Sequence, residues 1–164
     1  MQSIWNEDYV VKAYEADYNG KLKLNSIFDY FQETAGNHAA HLDIGYNDLL
    51  NAGYFWVLSR ILVDIKKYPE FGEKIKVITW PKGMDKLFAL RDFIVKDKND
   101  DEIIKATSAW LLLDVKSNKP KRIENLKLDL HINKDKHAIE KKPEKIVSAN
   151  CEKSYERNVS LTEI

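Results

Sequence analysis

The sequence lacks three features that would each point to a particular class of protein. It has a single cysteine, Cys151, in 164 residues, which excludes an internal disulfide framework and favours a reducing compartment such as the cytoplasm. It has no excess charge, because 26 Lys and Arg balance 26 Asp and Glu, and this balance argues against nucleic-acid binding. It also has no apolar run long enough for a signal sequence or a membrane span. We therefore expect one compact cytoplasmic domain.

Metal-binding patterns are missing as well. The four histidines and the distant Cys151 do not follow the ligand spacing of zinc sites. We therefore predict no metal site and no cofactor. Cys151 lies in a charged segment, so we interpret it as an inert thiol.

One long segment has the periodicity of an amphipathic helix. Residues 24–42 read LNSIFDYFQETAGNHAAHL, and their apolar stripe is formed by Ile27, Phe28, Phe31, Ala35, His38, Ala39 and Leu42. Ser26 and Asp29 predict a capped start near Ser26. The second half of the segment is rich in small residues, which suit a helix that another element approaches closely.

Alternating apolar residues and turn signals predict strands before and after this helix. The strand at 54–66 is apolar on both faces, which is typical of a central strand. Pro81-Lys82-Gly83 is interpreted as a turn between strands. The predicted strands cover residues 8–16, 54–66, 74–80, 86–96 and 102–115.

A strand, one long helix and then an antiparallel meander indicate an α+β fold. The element order is typical of the hotdog fold, in which an antiparallel sheet wraps a long central helix. A cone-shaped α+β barrel is the alternative, although it usually has more than one substantial helix before the sheet.

We assign residues 1–123 to the hotdog domain. Residues 124–150 alternate lysine with acidic residues, which predicts a solvated charged linker.

Six sequence blocks resemble bacterial acyl-acyl-carrier-protein (acyl-ACP) thioesterases, specifically their N-terminal half. They occur in order between about Val10 and Ile123, so together they are far more specific than one short motif. The blocks are Tyr14-Glu15-Ala16-Asp17 with Asn19-Gly20, Phe31-Gln32-Glu33-Thr34-Ala35-Gly36-Asn37-His38, Trp56-Val57-Leu58-Ser59-Arg60, Thr79-Trp80-Pro81, Leu87-Phe88-Ala89-Leu90-Arg91-Asp92-Phe93 and Ala106-Thr107-Ser108-Ala109-Trp110-Leu111-Leu112-Leu113-Asp114.

The resemblance implies two hotdog repeats in tandem. The first repeat lines the acyl pocket, and the second carries the chemistry on an Asp-x-Asn-x-His loop. Residues 151–164 resemble the first strand of a second repeat, whose remaining elements we expect to be absent from this chain. Substrate-binding candidates, for which ordinary core packing is an equally open interpretation, are Phe31, Ala35, Trp56, Leu58 and Trp110.

The corresponding loop of the first repeat is incomplete for catalysis. Asp17 and Asn19 match the loop pattern, but Lys21 stands at the histidine position. An unperturbed lysine, with a pKa of about 10.4, is almost entirely protonated at pH 7 and is a poor general base. We therefore expect no catalytic residue within this chain, and the weak candidates are Asp17, Asn19, Glu33 and His38. Capping of the turn by Asp17 and Asn19, exposure of Glu33 and core packing of His38 are the structural interpretations.

The leading functional hypothesis is an acyl-ACP thioesterase of fatty acid biosynthesis. This chain would supply the acyl-binding repeat and would be nearly inactive alone. Two alternatives remain, namely a non-catalytic acyl-binding or sensing module and a dimeric single-repeat acyl-CoA thioesterase that uses Glu33.

Three partners follow from this hypothesis. They are a fatty acyl thioester, an acidic acyl carrier protein and either a second hotdog repeat or a homodimer partner. Lys66, Lys67, Lys74 and Lys76 are the candidate landing site for the carrier protein. Arg60 is predicted to pair with Asp92 or Asp64.

Overall fold

The computed structural model describes residues 3–123, 131–147 and 156, and it contains one antiparallel sheet and one long helix. The strand order is β1-β3-β4-β5-β2, with β6 added to β5. This is the predicted α+β hotdog arrangement. The elements are β1 (Trp5–Val10), a one-turn 3-10 helix (Ala13–Glu15), α1 (Leu24–His41), α2 (Tyr46–Asn51), β2 (Tyr54–Ile65), β3 (Lys74–Asp85), β4 (Phe88–Lys96), β5 (Glu102–Asp114) and β6 (Pro120–Lys121).

The apolar stripe of α1 lies on one face of the sheet, as the helical periodicity predicts. Ile27 and Phe31 are almost fully buried, and the Phe31 ring packs on the Phe93 ring of β4 with centroids 4.5 Å apart. Val77 of β3 and Ala106 of β5 complete this part of the core. Because burial of each large apolar side chain contributes roughly 1.5–3 kcal/mol, these contacts fix the helix on the sheet.

The start of α1 differs from the prediction. The helix begins at Leu24, and Ser26 is buried within its first turn and does not act as the cap. Lys23 is the N-cap through its backbone, whose carbonyl accepts a hydrogen bond from the Ile27 amide.

In the described part of the chain, no helix combines the length and the apolarity needed to cross a membrane.

The first strand also differs from the prediction, because it covers Trp5–Val10 and ends well before residue 16. After Val11 the chain turns into the 3-10 helix. The Glu15 carboxylate accepts a hydrogen bond from the Lys12 amide at 2.6 Å and holds that turn. Alternation alone could not reveal a local side-chain bond of this kind.

The predicted turn at Pro81-Lys82-Gly83 lies inside β3. The register between β3 and β4 shifts between Pro81 and Gly83, which marks a bulge. Proline has no amide to donate, and a bulge is one of the places where a strand tolerates it. The actual turn lies at Lys86, whose positive φ of 57° fits a tight reversal.

The strand β2 lies at an edge of the sheet, so its prediction as a central strand is wrong. It pairs with β5 along one side, and Leu58 and Leu62 are exposed.

The predicted partners of Arg60 are also wrong. The Arg60 guanidinium lies over the Phe88 ring, 4.8 Å from its centroid, while Asp92 pairs with Lys82.

Part of the predicted linker packs on the outer face of the sheet, opposite α1. The Trp80 indole donates to the Lys136 carbonyl, and the Asp92 carboxylate accepts from the Ala138 amide at 2.7 Å. Lys82 and Asp92 form a buried ion pair at 3.3 Å, and Lys82 also donates to the Ile139 carbonyl. The expectation of a wholly solvated linker therefore fails for residues 131–143, because their backbone satisfies buried polar groups of the sheet. Residues 124–130, Cys151 and, apart from Glu156, the predicted strand at 151–164 lie outside the described residues.

Candidate functional site

A cavity lies between the second half of α1 and the inner face of the sheet. Its volume is about 530 Å³, within the range of small-molecule sites. Ala35, Gly36 and Ala39 of α1 form one wall, and Trp56 of β2 and Trp110 of β5 form another. The lining is therefore mostly apolar, as the binding of an alkyl chain requires.

Four of the five predicted substrate-binding residues line this cavity, namely Ala35, Trp56, Leu58 and Trp110. Phe31 lies outside the lining and packs in the neighbouring core against Phe93. One helical turn therefore separates a core residue of α1 from a cavity residue.

Small residues of α1 create the cavity. A Cβ placed on Gly36 would meet no atom within 4 Å, so the space beside it is open. Ala40 shows the predicted close approach, since a Cβ on Gly45 would lie 2.8 Å from the Ala40 Cα. That contact holds the start of α2 against the end of α1, beside the cavity.

Two tryptophans have their orientations fixed by hydrogen bonds. The Trp56 indole donates to the Ile44 carbonyl at 3.2 Å. The Trp110 indole donates to the Ser108 hydroxyl at 2.8 Å, and that hydroxyl donates to the Arg91 carbonyl at 3.0 Å. Because the polar atoms of both indoles are satisfied, their apolar faces are available to the cavity.

Arg91 of β4 is the charged residue that sequence reasoning missed. It lines the cavity, and its Nη1 donates to His38 Nδ1 at 3.1 Å and to the Thr79 hydroxyl at 3.2 Å. Burial lowers the pKa of Arg91 to about 10, so the guanidinium remains charged at neutral pH. Its position has a sequence signal, because Ala89, Arg91 and Phe93 alternate along β4 and must share the inner face.

His38 lies on the buried face of α1 and does not line the cavity. Its ring stacks on Trp5 with centroids 5.8 Å apart. A guanidinium can only donate, so His38 Nδ1 accepts, and the proton of the neutral ring is on Nε2. This placement agrees with a core role for His38 and leaves it without access to a bound acyl chain.

The loop candidates lie on the surface. The Asp17 carboxylate accepts from the Asn19 amide at 2.8 Å and from the Lys21 amide at 3.0 Å. These two bonds close the turn, and all three residues are exposed. Asp17 therefore holds the loop, and the loop lies apart from the residues that line the cavity.

Glu33 is exposed on α1, and it also lines the cavity. Its carboxylate therefore lies at the boundary between the cavity and solvent. Gln32 lies beside it in the lining. Glu33 is the one catalytic candidate that the fold places next to the cavity.

Metal-ligating residues are not grouped at this site. Within residues 3–123, 131–147 and 156, no three His, Cys, Asp or Glu side chains are arranged to hold a metal ion. The cavity therefore presents a mostly apolar lining with one cation, Arg91, and one rim carboxylate, Glu33.

The sequence and the fold both match acyl-ACP thioesterases. The family model for the acyl-ACP thioesterase N-terminal domain matches residues 2–129. An oleoyl-acyl carrier protein thioesterase of Coriandrum sativum is 25% identical over 128 residues, which is 74% of this chain and 35% of that protein. The chain thus spans about a third of the length of this curated relative.

Solved structures give the same result. An acyl-ACP thioesterase from Bacteroides thetaiotaomicron is 27% identical with a TM-score of 0.77, covering 91% of this chain and 61% of that chain. A 12:0-ACP thioesterase from Umbellularia californica, at 19% identity, shares the fold with a TM-score of 0.76, covering 93% of this chain and 64% of that chain. This chain therefore belongs to the acyl-ACP thioesterase family and carries its N-terminal domain.

Proposed function

We propose that this chain is the acyl-binding domain of a cytoplasmic enzyme that hydrolyses fatty acyl-ACP. The cavity beneath the second half of α1 carries this proposal, because it is apolar, lies beside solvent and has the volume of a ligand site. In this role the alkyl chain lies between Ala35 and Gly36 on one side and Trp110 on the other. Family membership supplies the substrate class, a fatty acyl thioester on a carrier protein.

The hydrolytic groups of this enzyme lie elsewhere. In the family pattern, a histidine and a carboxylate activate water, and amide groups hold the developing oxyanion. In this chain the matching loop has Lys21 at the histidine position, and the Asp17 carboxylate already closes the turn. A lysine in place of the histidine is a poor general base. We therefore expect this domain to position the acyl chain for a second repeat.

The edge of the sheet supports pairing with that repeat or with a second copy. Along its outer side, β2 leaves backbone groups without a strand partner in the described structure. Leu58 and Leu62 are exposed on the same strand. A long apolar edge strand favours strand addition by another hotdog unit.

A positive strip supports docking of an acidic carrier protein. Lys66, Lys67 and Lys74 are exposed near one end of the sheet. Lys67 already pairs with Asp97 at 3.2 Å and Glu73 at 3.3 Å, so its charge is partly compensated. We therefore assign the greater share of the attraction to Lys66, Lys74 and Lys76.

The test of this proposal is to measure binding and turnover separately on the 164-residue chain. Dodecanoyl-ACP should bind, and free dodecanoate should be released no faster than in a protein-free control. The cavity-filling variant Gly36→Phe should bind the acyl chain at least about tenfold more weakly. Robust hydrolysis by the wild-type chain would contradict the assignment of chemistry to a second repeat. Tight retention of an acyl group in the full gene product without hydrolysis would favour the non-catalytic sensing module.

The position of Glu33 supports a second candidate, a dimeric single-repeat acyl-CoA thioesterase with Glu33 as the base. In this candidate the rim carboxylate activates water beside the cavity. Glu33→Ala should then abolish acyl-CoA hydrolysis while leaving the melting temperature unchanged, since Glu33 is exposed. Asp29→Ala, which removes another exposed carboxylate of α1, is the matched control. Equal activity of both variants and wild type would exclude this candidate.

A further inference from the structure

Arg91 introduces a positive charge into a cavity that is otherwise suited to an alkyl chain. Its two hydrogen bonds both leave from Nη1, toward His38 and Thr79. The Nε and Nη2 atoms make no hydrogen bond to any described residue, and neither atom is fully enclosed by protein. Since Arg91 lines the cavity, we assign these two donors to it.

No carboxylate in the described structure forms an ion pair with Arg91. Its neighbour Asp92 points to the opposite face of the sheet, where it pairs with Lys82 at 3.3 Å. Glu33 lines the same cavity but remains too far away for an ion pair with Arg91. Arg91 is half-buried, so its guanidinium is partly desolvated, and a charged partner would offset that cost. An anionic ligand would supply the missing partner.

The free edge of the guanidinium has the geometry of a carboxylate site. The N–H groups of Nε and Nη2 are parallel and can donate to both oxygens of one carboxylate. His38 and Thr79 hold the opposite side of the guanidinium, so the free edge is pre-oriented. An apolar chain placed against the same edge would displace water from two charged donors without replacing its hydrogen bonds.

We propose that Arg91 binds a carboxylate carried on an aliphatic chain, so that this cavity selects fatty carboxylates over uncharged alkyl ligands of equal length. The inference rests on the proposed function, since it requires the cavity to hold an alkyl chain. The carboxylate has two sources. It is either the head of a free fatty acid or a second carboxylate at the far end of a dicarboxylic acyl group.

Calorimetric titration of the 164-residue chain with dodecanoate and dodecanol tests the inference. Wild type should bind dodecanoate at least about tenfold more tightly than dodecanol, as expected for hydrogen bonds to charged groups. Arg91→Gln should bind the two ligands equally and retain the wild-type affinity for dodecanol. Arg122→Gln removes the same charge from an exposed residue outside the cavity and should behave as wild type.

A second variant keeps the test decisive if Arg91→Gln does not fold. Arg91→Lys retains a cation but loses the parallel pair of donors, so the preference for dodecanoate should fall several-fold. An unchanged preference in Arg91→Lys, or a preference that survives in folded Arg91→Gln, would overturn the inference. Equal binding of both ligands by wild type would also overturn it and would leave the proposed function intact. Failure of both ligands to bind would overturn both proposals.

Carrier-linked substrates distinguish the two sources. The two substrates are dodecanoyl-ACP and the same acyl-ACP with a carboxylate at the far end of the acyl chain. In both, the thioester end is held by the carrier protein, so only the far end differs. A preference for the terminal carboxylate that Arg91→Gln removes would assign Arg91 to the far end of the acyl chain. No such preference, together with tighter binding of free dodecanoate, would assign it to the head of a free fatty acid.

Discussion

The first half of α1 packs against a filled core, whereas its second half covers an open cavity, although both halves face the same side of one sheet. Phe31 contacts Phe93 with ring centroids 4.5 Å apart. Five residues later, the exposed Gly36 has no atom within 4 Å of the position where a Cβ would be. The sheet is continuous beneath both halves, so the size of the helix side chains decides where space remains. The filled core and the cavity therefore belong to different turns of one helix.

Between the two halves, a hydrogen-bond network joins α1 to β1. The Tyr9 hydroxyl donates to the Glu7 carboxylate and lies 2.9 Å from the Thr34 hydroxyl. Asn37 donates to the same carboxylate at 2.9 Å. These bonds fix the middle of the helix over the sheet, which keeps the cavity wall in place without filling the cavity.

The largest effect on stability should come from substitutions in the first half of α1, which packs against the filled core. Phe31→Ala should lower the free energy of unfolding by about 3–5 kcal/mol, because it removes a buried aromatic side chain from a packed core. Urea denaturation measures this change. Leu58→Ala, at an exposed position of the cavity rim, should cost much less. Equal losses in the two variants would show that the two halves are not energetically distinct.

Filling the cavity beside the second half of α1 should weaken binding more than stability. Gly36→Phe should weaken binding of a dodecanoyl chain at least about tenfold with little loss of stability, because the new side chain occupies the cavity. Gly36→Ala is the matched control. It should preserve binding and raise the free energy of unfolding by up to about 1 kcal/mol, since alanine is the better helix former. Strong destabilisation by Gly36→Ala would contradict the open space beside Gly36.

The smallest effect on stability should come from the hydrogen bonds around Glu7, which lie between the two halves of α1. This effect should depend on pH. Burial alone would raise the pKa of Glu7, but hydrogen bonds from Tyr9, Trp5 and Asn37 outweigh it and hold the pKa below 4.5. A lowered folded-state pKa contributes stability above the unfolded value and loses it as pH falls through the folded value. Stability should therefore decline below about pH 4.5.

The Glu7→Gln variant should lose this part of the acid dependence. Thermal melts of Glu7→Gln and wild type between pH 3 and 6 would measure the difference. The matched control is Asp8→Asn, on the same strand. Identical acid profiles for wild type and Glu7→Gln would show that the network adds no charge-dependent stability.

Much of the fold could be predicted from local patterns. The helical period of α1 predicts the helix, and side-chain alternation with turn residues predicts the starts of β2, β3 and β5. Local patterns failed where a distant contact decides the outcome. Pro81 looks like a turn residue, yet the bulge against β4 keeps it within β3. Similarly, β2 reads as a central strand because both its faces are apolar, but strand order depends on pairing with β5.

The site was predicted less completely. Ala35, Trp56, Leu58 and Trp110, which were predicted to bind substrate, line the cavity, and their role in binding stays a prediction. Arg91 was missed, and its neighbour Asp92 was instead predicted to pair with Arg60. In a strand, adjacent side chains point to opposite faces, so Arg91 and Asp92 are separated by the sheet itself.

The sequence by itself determined the helix stripe, the strand periodicity and membership in a thioesterase family, because these depend on residue order alone. Only the tertiary structure decided that Gly36 faces open space, that β2 is an edge, and that residues 131–143 cover the outer face. It also decided that Arg91 lacks a carboxylate partner among the described residues. Each of these features depends on contacts between residues that are far apart in the sequence, and a local sequence pattern does not specify such contacts.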